Sequence, residues 1–196
     1  SFDGTGDTVS VSGLPTMTGD ASISTWINAT TNPSFASFLS SRNYSNTANS
    51  FSIQNRSGNI YLIIYDTGST YKIGNFTPST ALIDNWNHIA VIVDTLETDA
   101  KVYFNGSIAL TVDLTASNVD ISDISAGFNI SGYSTNSAFP ANAGFFDGKI
   151  DETSIFNYSL SEAQVLEIYN NGKPKDLSTF SGTAPISWWR LGENAY

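Results

Sequence analysis

The sequence predicts an all-β, two-sheet antiparallel sandwich carrying one short helix near its C-terminal end. Three observations lead there. Short runs rich in Ile, Val, Thr and aromatics alternate apolar with polar residues, Gly, Asn and Ser separate these runs, and one stretch alone, opening at Ser161, carries a convincing helical period. With 196 residues and 40% hydrophobic content, the chain can bury one sizeable core.

The elements follow in order. Residues 7–12 place Val9 and Val11 on one face between Gly6 and Gly13. Residues 21–28 put Ala21, Ile23 and Ile27 on one side and Trp26 on the other. Residues 51–54, 60–65, 86–94, 102–104 and 108–112 continue the pattern. The stretch 86–93 is apolar on both faces, as expected of a central strand covered on both sides. Asn105-Gly106 between two such runs is a strong hairpin signal, because both turn residues need positive φ. Gly58-Asn59 predicts a second, looser hairpin.

Ser161 fits a helix N-cap, and Gln164 three residues on closes a capping box. Glu162 suits the positive end of the helix dipole. Leu160, Val165, Leu166, Ile168 and Tyr169 form the apolar stripe, and Asn170-Asn171-Gly172 ends it. Such a helix is expected to plug one edge of the sandwich. Residues 1–172 thus read as the sandwich. Residues 173–196 read as a linker and an extra strand at 186–191, either completing the sandwich edge or beginning a following domain.

Charge narrows the partners. The net charge is −10 and Lys plus Arg number only 8, which argues against nucleic acid and against anionic membrane surfaces. The carboxylates suit cations, calcium above all. There is no cysteine, so no disulfide or thiol chemistry contributes. No apolar run reaches membrane-spanning length. The opening Ser1-Phe2-Asp3-Gly4, without Met or an apolar leader, leads us to expect part of a larger polypeptide or assembly.

Five segments together carry a family resemblance. They are Phe-Asp-Gly-Thr-Gly-Asp-Thr-Val at 2–9, Ala-Ser-Ile-Ser-Thr-Trp-Ile at 21–27, Trp-Asn-His-Ile-Ala-Val at 86–91, Val-Tyr-Phe-Asn-Gly at 102–106, and Phe-Asp-Gly-Lys-Ile-Asp-Glu at 146–152 with the helix start after it. In this order they resemble a laminin-G-like, concanavalin A-like jelly roll over residues 1 to about 172. Pro-Ile-Ser-Trp-Trp-Arg-Leu-Gly-Glu at 185–193 looks like the strand that usually precedes Phe-Asp-Gly in this family, yet here it comes last. That segment is also similar to parts of large structural proteins of marine phages.

The resemblance implies several sites. Glucanases on this scaffold carry a Glu-x-Asp-x-x-Glu run on one strand, and none is present. The adjacent pair Asp151-Glu152 alternates across a strand, which sends the two carboxylates to opposite faces. His88, the sole histidine, lies in the most apolar strand and is expected to be structural. No catalytic residue is assigned. In many domains of the family a calcium ion ties the first strand to the closing one. The resemblance would place its ligands at Asp3 and Asp151, with Asp7 as a substitute for Asp3 and with Gly4 and Gly148 freeing the backbone. Alternatively, Asp3 caps a turn and Asp151 makes a salt bridge or hydrogen bond.

Sugar binding needs aromatics for stacking and amides or hydroxyls for hydrogen bonds. Candidates are Tyr44, Tyr65, Tyr71, Tyr133 and Phe139, with Asn43, Asp66 and Asn136 nearby. Trp26 either paves a sheet surface as a further ligand-binding residue or lies beneath a loop layer. Seven Asn-x-Ser/Thr sequons, at Asn28, Asn43, Asn55, Asn75, Asn105, Asn129 and Asn157, match the richness in these residues. The expectation is a non-catalytic recognition module, extracellular or on a virion surface, whose partner is a glycan. The competing expectation is a virion or surface-layer domain that binds neighbouring protein subunits. Exposed indoles at Trp188-Trp189 would favour the second.

Overall fold

The computed structural model describes residues 1–17, 19–41, 50–66, 68, 71–115, 124, 127–132 and 144–192. Its strands are β1 (Phe2–Asp3), β2 (Val9–Val11), β3 (Ala21–Ala29), β4 (Ala36–Ser40), β5 (Phe51–Arg56), β6 (Asn59–Tyr65), β7 (Tyr71–Phe76), β8 (Asn87–Asp94), β9 (Asp99–Phe104), β10 (Ser107–Asp113), β11 (Phe128–Ile130), β12 (Asp147–Phe156) and β13 (Ser187–Trp189). One α-helix, α1, spans Glu162–Tyr169.

Alternation sorts these strands into two antiparallel sheets. The seven-stranded sheet runs β1-β12-β3-β8-β9-β10, with β13 also on β12, and the six-stranded sheet runs β2-β11-β4-β5-β6-β7. Between them lies the main core, which includes Ile23, Ile27, Ile53, Leu62, Val91, Val102, Phe128 and Ile155. The sandwich closes on the β7–β10 side at Gly74. A Cβ there would meet Leu110 and Val112 of β10 at 2.9 and 2.8 Å, so only glycine lets the two edges approach this far. The architecture is the expected jelly-roll sandwich with one short helix.

The central strand β8 is buried on both faces as expected, but Trp86, included in the expected stretch, precedes the strand and is 42% exposed. The strand's outer residues Ala90 and Ile92 form a second apolar cluster with Phe156, Leu160, Val165 and Ile168. The helix therefore lies across the outer face of the seven-stranded sheet, where an edge plug was expected. Its start is the predicted one. The Ser161 side chain accepts the Gln164 N–H, Gln164 returns the bond to the Ser161 backbone, and Asn170 ends the helix at φ +46°.

Both hairpins form. Asn105 and Gly106 have φ of +50° and +79°. The second turn sits one residue earlier than expected, on Ser57 and Gly58 at φ +52° and +87°, where Asn55 Oδ1 accepts the Gly58 N–H at 2.8 Å.

The Trp188-Trp189 strand pairs with β12 of this same sandwich, Trp189 opposite Thr153 and Ser187 opposite Ile155. Phe2 and Asp3 pair with Gly148 and Asp147 on β12. Both β13 and β1 run antiparallel to β12, and β12 has β3 on its other side. The chain leaving β13 therefore heads along the β12 edge towards Phe2, and one composite edge strand is assembled from two distant stretches of sequence.

Candidate functional site

The register of β6 and β7 builds an outward-facing strip on the six-stranded sheet. Ile60, Leu62 and Ile64 of β6 enter the core, so Tyr61, Ile63 and Tyr65 lie on the opposite face, where Ile63 is covered at 4% exposure and the two tyrosines are partly exposed. Tyr65 pairs with Tyr71, Ile63 with Ile73 and Tyr61 with Asn75. Beyond the strand end, the Thr77 hydroxyl donates to Asn59 Oδ1 at 2.7 Å. Tyr71 is 55% exposed and Ile73 44%. The Tyr65 and Tyr71 rings lie 5.6 Å apart and inclined by 47°, a cross-strand aromatic pair at the strip's end.

The neighbouring strand β5 adds a polar row. Gln54 Nε2 donates to the Ser52 hydroxyl at 2.6 Å, and Arg56 Nε donates to Gln54 Oε1 at 2.8 Å. The Arg56 guanidinium lies over the Tyr61 ring at 4.8 Å and over the Phe35 ring at 5.5 Å. Ser52 and Gln54 are themselves fully buried, so what this face exposes is the Tyr71 ring, Ile73 and the Asn75 amide, with the Arg56 guanidinium partly exposed.

Of the aromatic candidates named from the sequence, Tyr65 and Tyr71 lie on this face, which Tyr61, Asn75 and Arg56, not among those candidates, share. The signal was available: Tyr61 and Tyr65 stand four apart in an alternating run, which places both on the face opposite Ile60, Leu62 and Ile64. Tyr44, Tyr133, Phe139, Asn43 and Asn136 lie outside the described residues. Asp66 caps its own turn, its Oδ1 accepting the Gly68 N–H at 2.8 Å.

Trp26 is 2% exposed, and no sugar can stack on it. Its cover is the helix: the Tyr169 ring lies 5.9 Å away and inclined by 18°. His88 sits against both, 5.2 Å from Trp26 and 5.9 Å from Tyr169. The His88 side chain is fully buried, its Nε2 2.8 Å from the Ser24 hydroxyl, while Nδ1 has no partner among the described residues. Desolvation pushes its pKa from 6.5 down to about 3, so the ring is neutral at physiological pH.

The two carboxylates expected to share a cation are not brought together. Asp3 stands opposite Asp147, and Asp151 lies four residues farther along β12, roughly 13 Å away at strand spacing. Asp3 Oδ1 accepts the Thr5 N–H at 2.8 Å, and the bonds from Thr5 hold its carboxyl below the usual range. Asp151 Oδ1 accepts the N–H groups of Glu152, Leu191 and Gly192 at 2.8, 2.9 and 3.2 Å. Gly148, at φ +147°, serves close strand approach: a Cβ there would fall 2.2 Å from the Asn28 carbonyl. Among the described residues no group of three or more His, Cys, Asp or Glu side chains is placed to hold a metal.

The expected opposition of Asp151 and Glu152 is also corrected. The register shifts between Asp151 and Ser154, and Glu152 adopts φ +49°. This bulge breaks the alternation and turns both carboxylates towards the last strand. Glu152 accepts the Trp188 indole N–H at 2.5 Å and the Arg190 Nε–H at 3.3 Å. Trp189 turns the other way and stacks on Phe128 at 5.8 Å. The adjacent indoles thus serve the sandwich itself, and the exposed pair that would mark an interface does not form.

The fold and these sites meet a family model described as the Concanavalin A-like lectin/glucanases superfamily, which matches residues 3–166. The chain belongs to this superfamily. Among solved structures, the superfamily fold is shared with the receptor binding domain of botulinum neurotoxin D, at TM-score 0.64 and 18% identity over 86% of this chain and 42% of that one. It is shared with the serotype D ligand binding domain in complex with N-acetylneuraminic acid, at TM-score 0.61 and 18% identity over 85% and 40% of the two chains. The serotype G binding domain matches at TM-score 0.59 and 17% identity over 79% and 36%. This chain therefore spans less than half the length of these structures. No curated protein matches it.

Proposed function

We propose that this domain is a non-catalytic carbohydrate-recognition module displayed on a cell or particle surface. The observation that carries the reading is the β6–β7 strip, where Tyr71 is 55% exposed beside Tyr65 and where Ile73, Asn75 and Tyr61 continue the same face. Sugar rings present apolar C–H faces to aromatic planes and hydroxyls to amides, and the strip offers both. Membership of a superfamily that includes lectins supports this use. A binding domain solved with N-acetylneuraminic acid shares the fold, which is compatible with it. The adjacent acids Asp151 and Glu152 are engaged with the last strand, which favours recognition over glycoside hydrolysis.

A glycan array probed with the intact chain and with Tyr71→Ala tests the proposal. Binding to a defined glycan set that is lost in Tyr71→Ala supports it. An array silent to the intact chain overturns it.

A further inference from the structure

The Arg56 side chain on the six-stranded sheet has a setting that its neighbours do not explain. The rings of Tyr61 and Phe35 cover the guanidinium at 4.8 and 5.5 Å, so water is displaced from its faces and its in-plane N–H donors remain as outlets. Nε donates to Gln54 Oε1 at 2.8 Å. The two terminal nitrogens make no hydrogen bond to a described residue, and Arg56 has no ion pair among the described residues. Lys72, Lys149 and Lys173 likewise form no ion pair among the described residues, so what sets Arg56 apart is the ring cover on its guanidinium together with the Gln54 bond. The side chain is also pre-oriented: Gln54 fixes its plane from the side, and Ser52 in turn holds Gln54 at 2.6 Å.

From this geometry we infer that Arg56 is the anion-receiving end of the glycan strip and that the preferred ligands are acidic glycans. The terminal Nη1/Nη2 fork matches a carboxylate or sulfate in two-pronged fashion, which an ammonium cannot reproduce. Arg56 stands opposite Asn59, at the other end of the strip from Tyr65 and Tyr71. Tyr61, which the guanidinium covers, is four residues from Tyr65, roughly 13 Å at strand spacing. The ligand therefore carries its acidic group at some distance from the ring that stacks on Tyr71, which selects an oligosaccharide over a single acidic sugar. The overall negative charge disfavours polyanions at long range, so the selected ligand carries an isolated acidic group.

This inference rests on the sugar-binding reading, and the experiment separates the two. The probe is an array of oligosaccharides in matched neutral, carboxylated and sulfated forms, read with the intact chain, Arg56→Gln, Arg56→Lys and Tyr71→Ala. The intact chain is expected to favour acidic over neutral forms by roughly tenfold or more. Arg56→Gln should bring acidic forms down to the neutral level with neutral binding unchanged, and Arg56→Lys should recover only part of the preference. The carboxylated and sulfated arms tell which anion is the ligand. Equal binding of neutral and acidic forms, or a preference that survives in a folded Arg56→Gln, overturns the anionic subsite while leaving the glycan strip standing. Thermal melting of the Arg56 variants serves as the folding check, and unchanged neutral binding reports an intact strip. Silence of the intact chain on all forms overturns both readings.

Discussion

Tyr169 at the end of α1 packs directly on Gly106 of the β9–β10 hairpin: a Cβ built on Gly106 would fall 2.6 Å from the ring's Cδ1. The glycine meets two demands at once, a φ of +79° and the space into which the helix seats its last aromatic ring. Gly106→Ala is expected to destabilise the domain by on the order of 2 kcal/mol, from strain and overpacking together. Gly13 has a similar φ, +76°, with nothing within 4 Å of its would-be Cβ. Gly13→Ala should cost only about 1 kcal/mol. Urea titrations of the two variants side by side decide whether packing adds to conformation at Gly106.

Beneath Tyr169 the buried imidazole makes stability depend on pH. His88 has a folded pKa of about 3 against 6.5 when solvated. Below 6.5 the unfolded chain takes up a proton that the folded chain refuses. The stabilisation is therefore complete above 6.5 and declines as pH falls towards 3, by up to about 1.4 kcal/mol per unit. The resolved carboxylate shifts, at Asp3, Asp113, Glu167 and Asp176, are all downward, so their contributions are lost only at lower pH. Urea midpoints between pH 6.5 and about 5 should show the slope for the intact chain and a flat line for His88→Gln, since His88 is the only histidine. An equal slope in both proteins would refute the assignment.

The last strand is held by the bulge of β12. Asp151→Ala removes the acceptor of the Leu191 and Gly192 N–H groups. It should lower global stability by about 2 kcal/mol, with faster hydrogen exchange concentrated at those amides. Exchange that rises uniformly over the domain instead would show that the carboxylate is not a local clasp.

Two aromatics separate structure from recognition. Trp26→Ala empties a site beneath the helix and should cost roughly 3–5 kcal/mol. Tyr71→Ala gives up an exposed cross-strand contact and should cost about 1 kcal/mol or less. A Tyr71→Ala variant whose melting falls by no more than a few degrees and which binds no glycan is the expected outcome.

How much of this was legible in the sequence depended on how local the signal was. The Asn105-Gly106 turn and the Ser161–Gln164 capping box are set by residues within a few positions of one another, and both formed as read. Alternation placed Trp26 on the outer side of its strand, yet what covers it comes from residue 169, and no short-range pattern reports that contact. The pairing of Asp151 and Glu152 was misread for a related reason. A bulge is one inserted residue, invisible in a run of alternating side chains, and it reverses which way the next carboxylate points. The β6 run alone places Tyr61 with Tyr65, but which residues of β7 stand beside them is set by the β6–β7 register, which depends on where the intervening turn falls.

The composite edge strand has a mechanical consequence. Phe2 and Gly192 both sit along the β12 edge, so any tether attached at either residue loads the same flank of the sandwich. The tyrosine strip lies on β6 and β7, across the six-stranded sheet from β2, which is roughly 20–25 Å of strand spacings away. A body held by that flank would present its tyrosine strip on the margin away from the anchor.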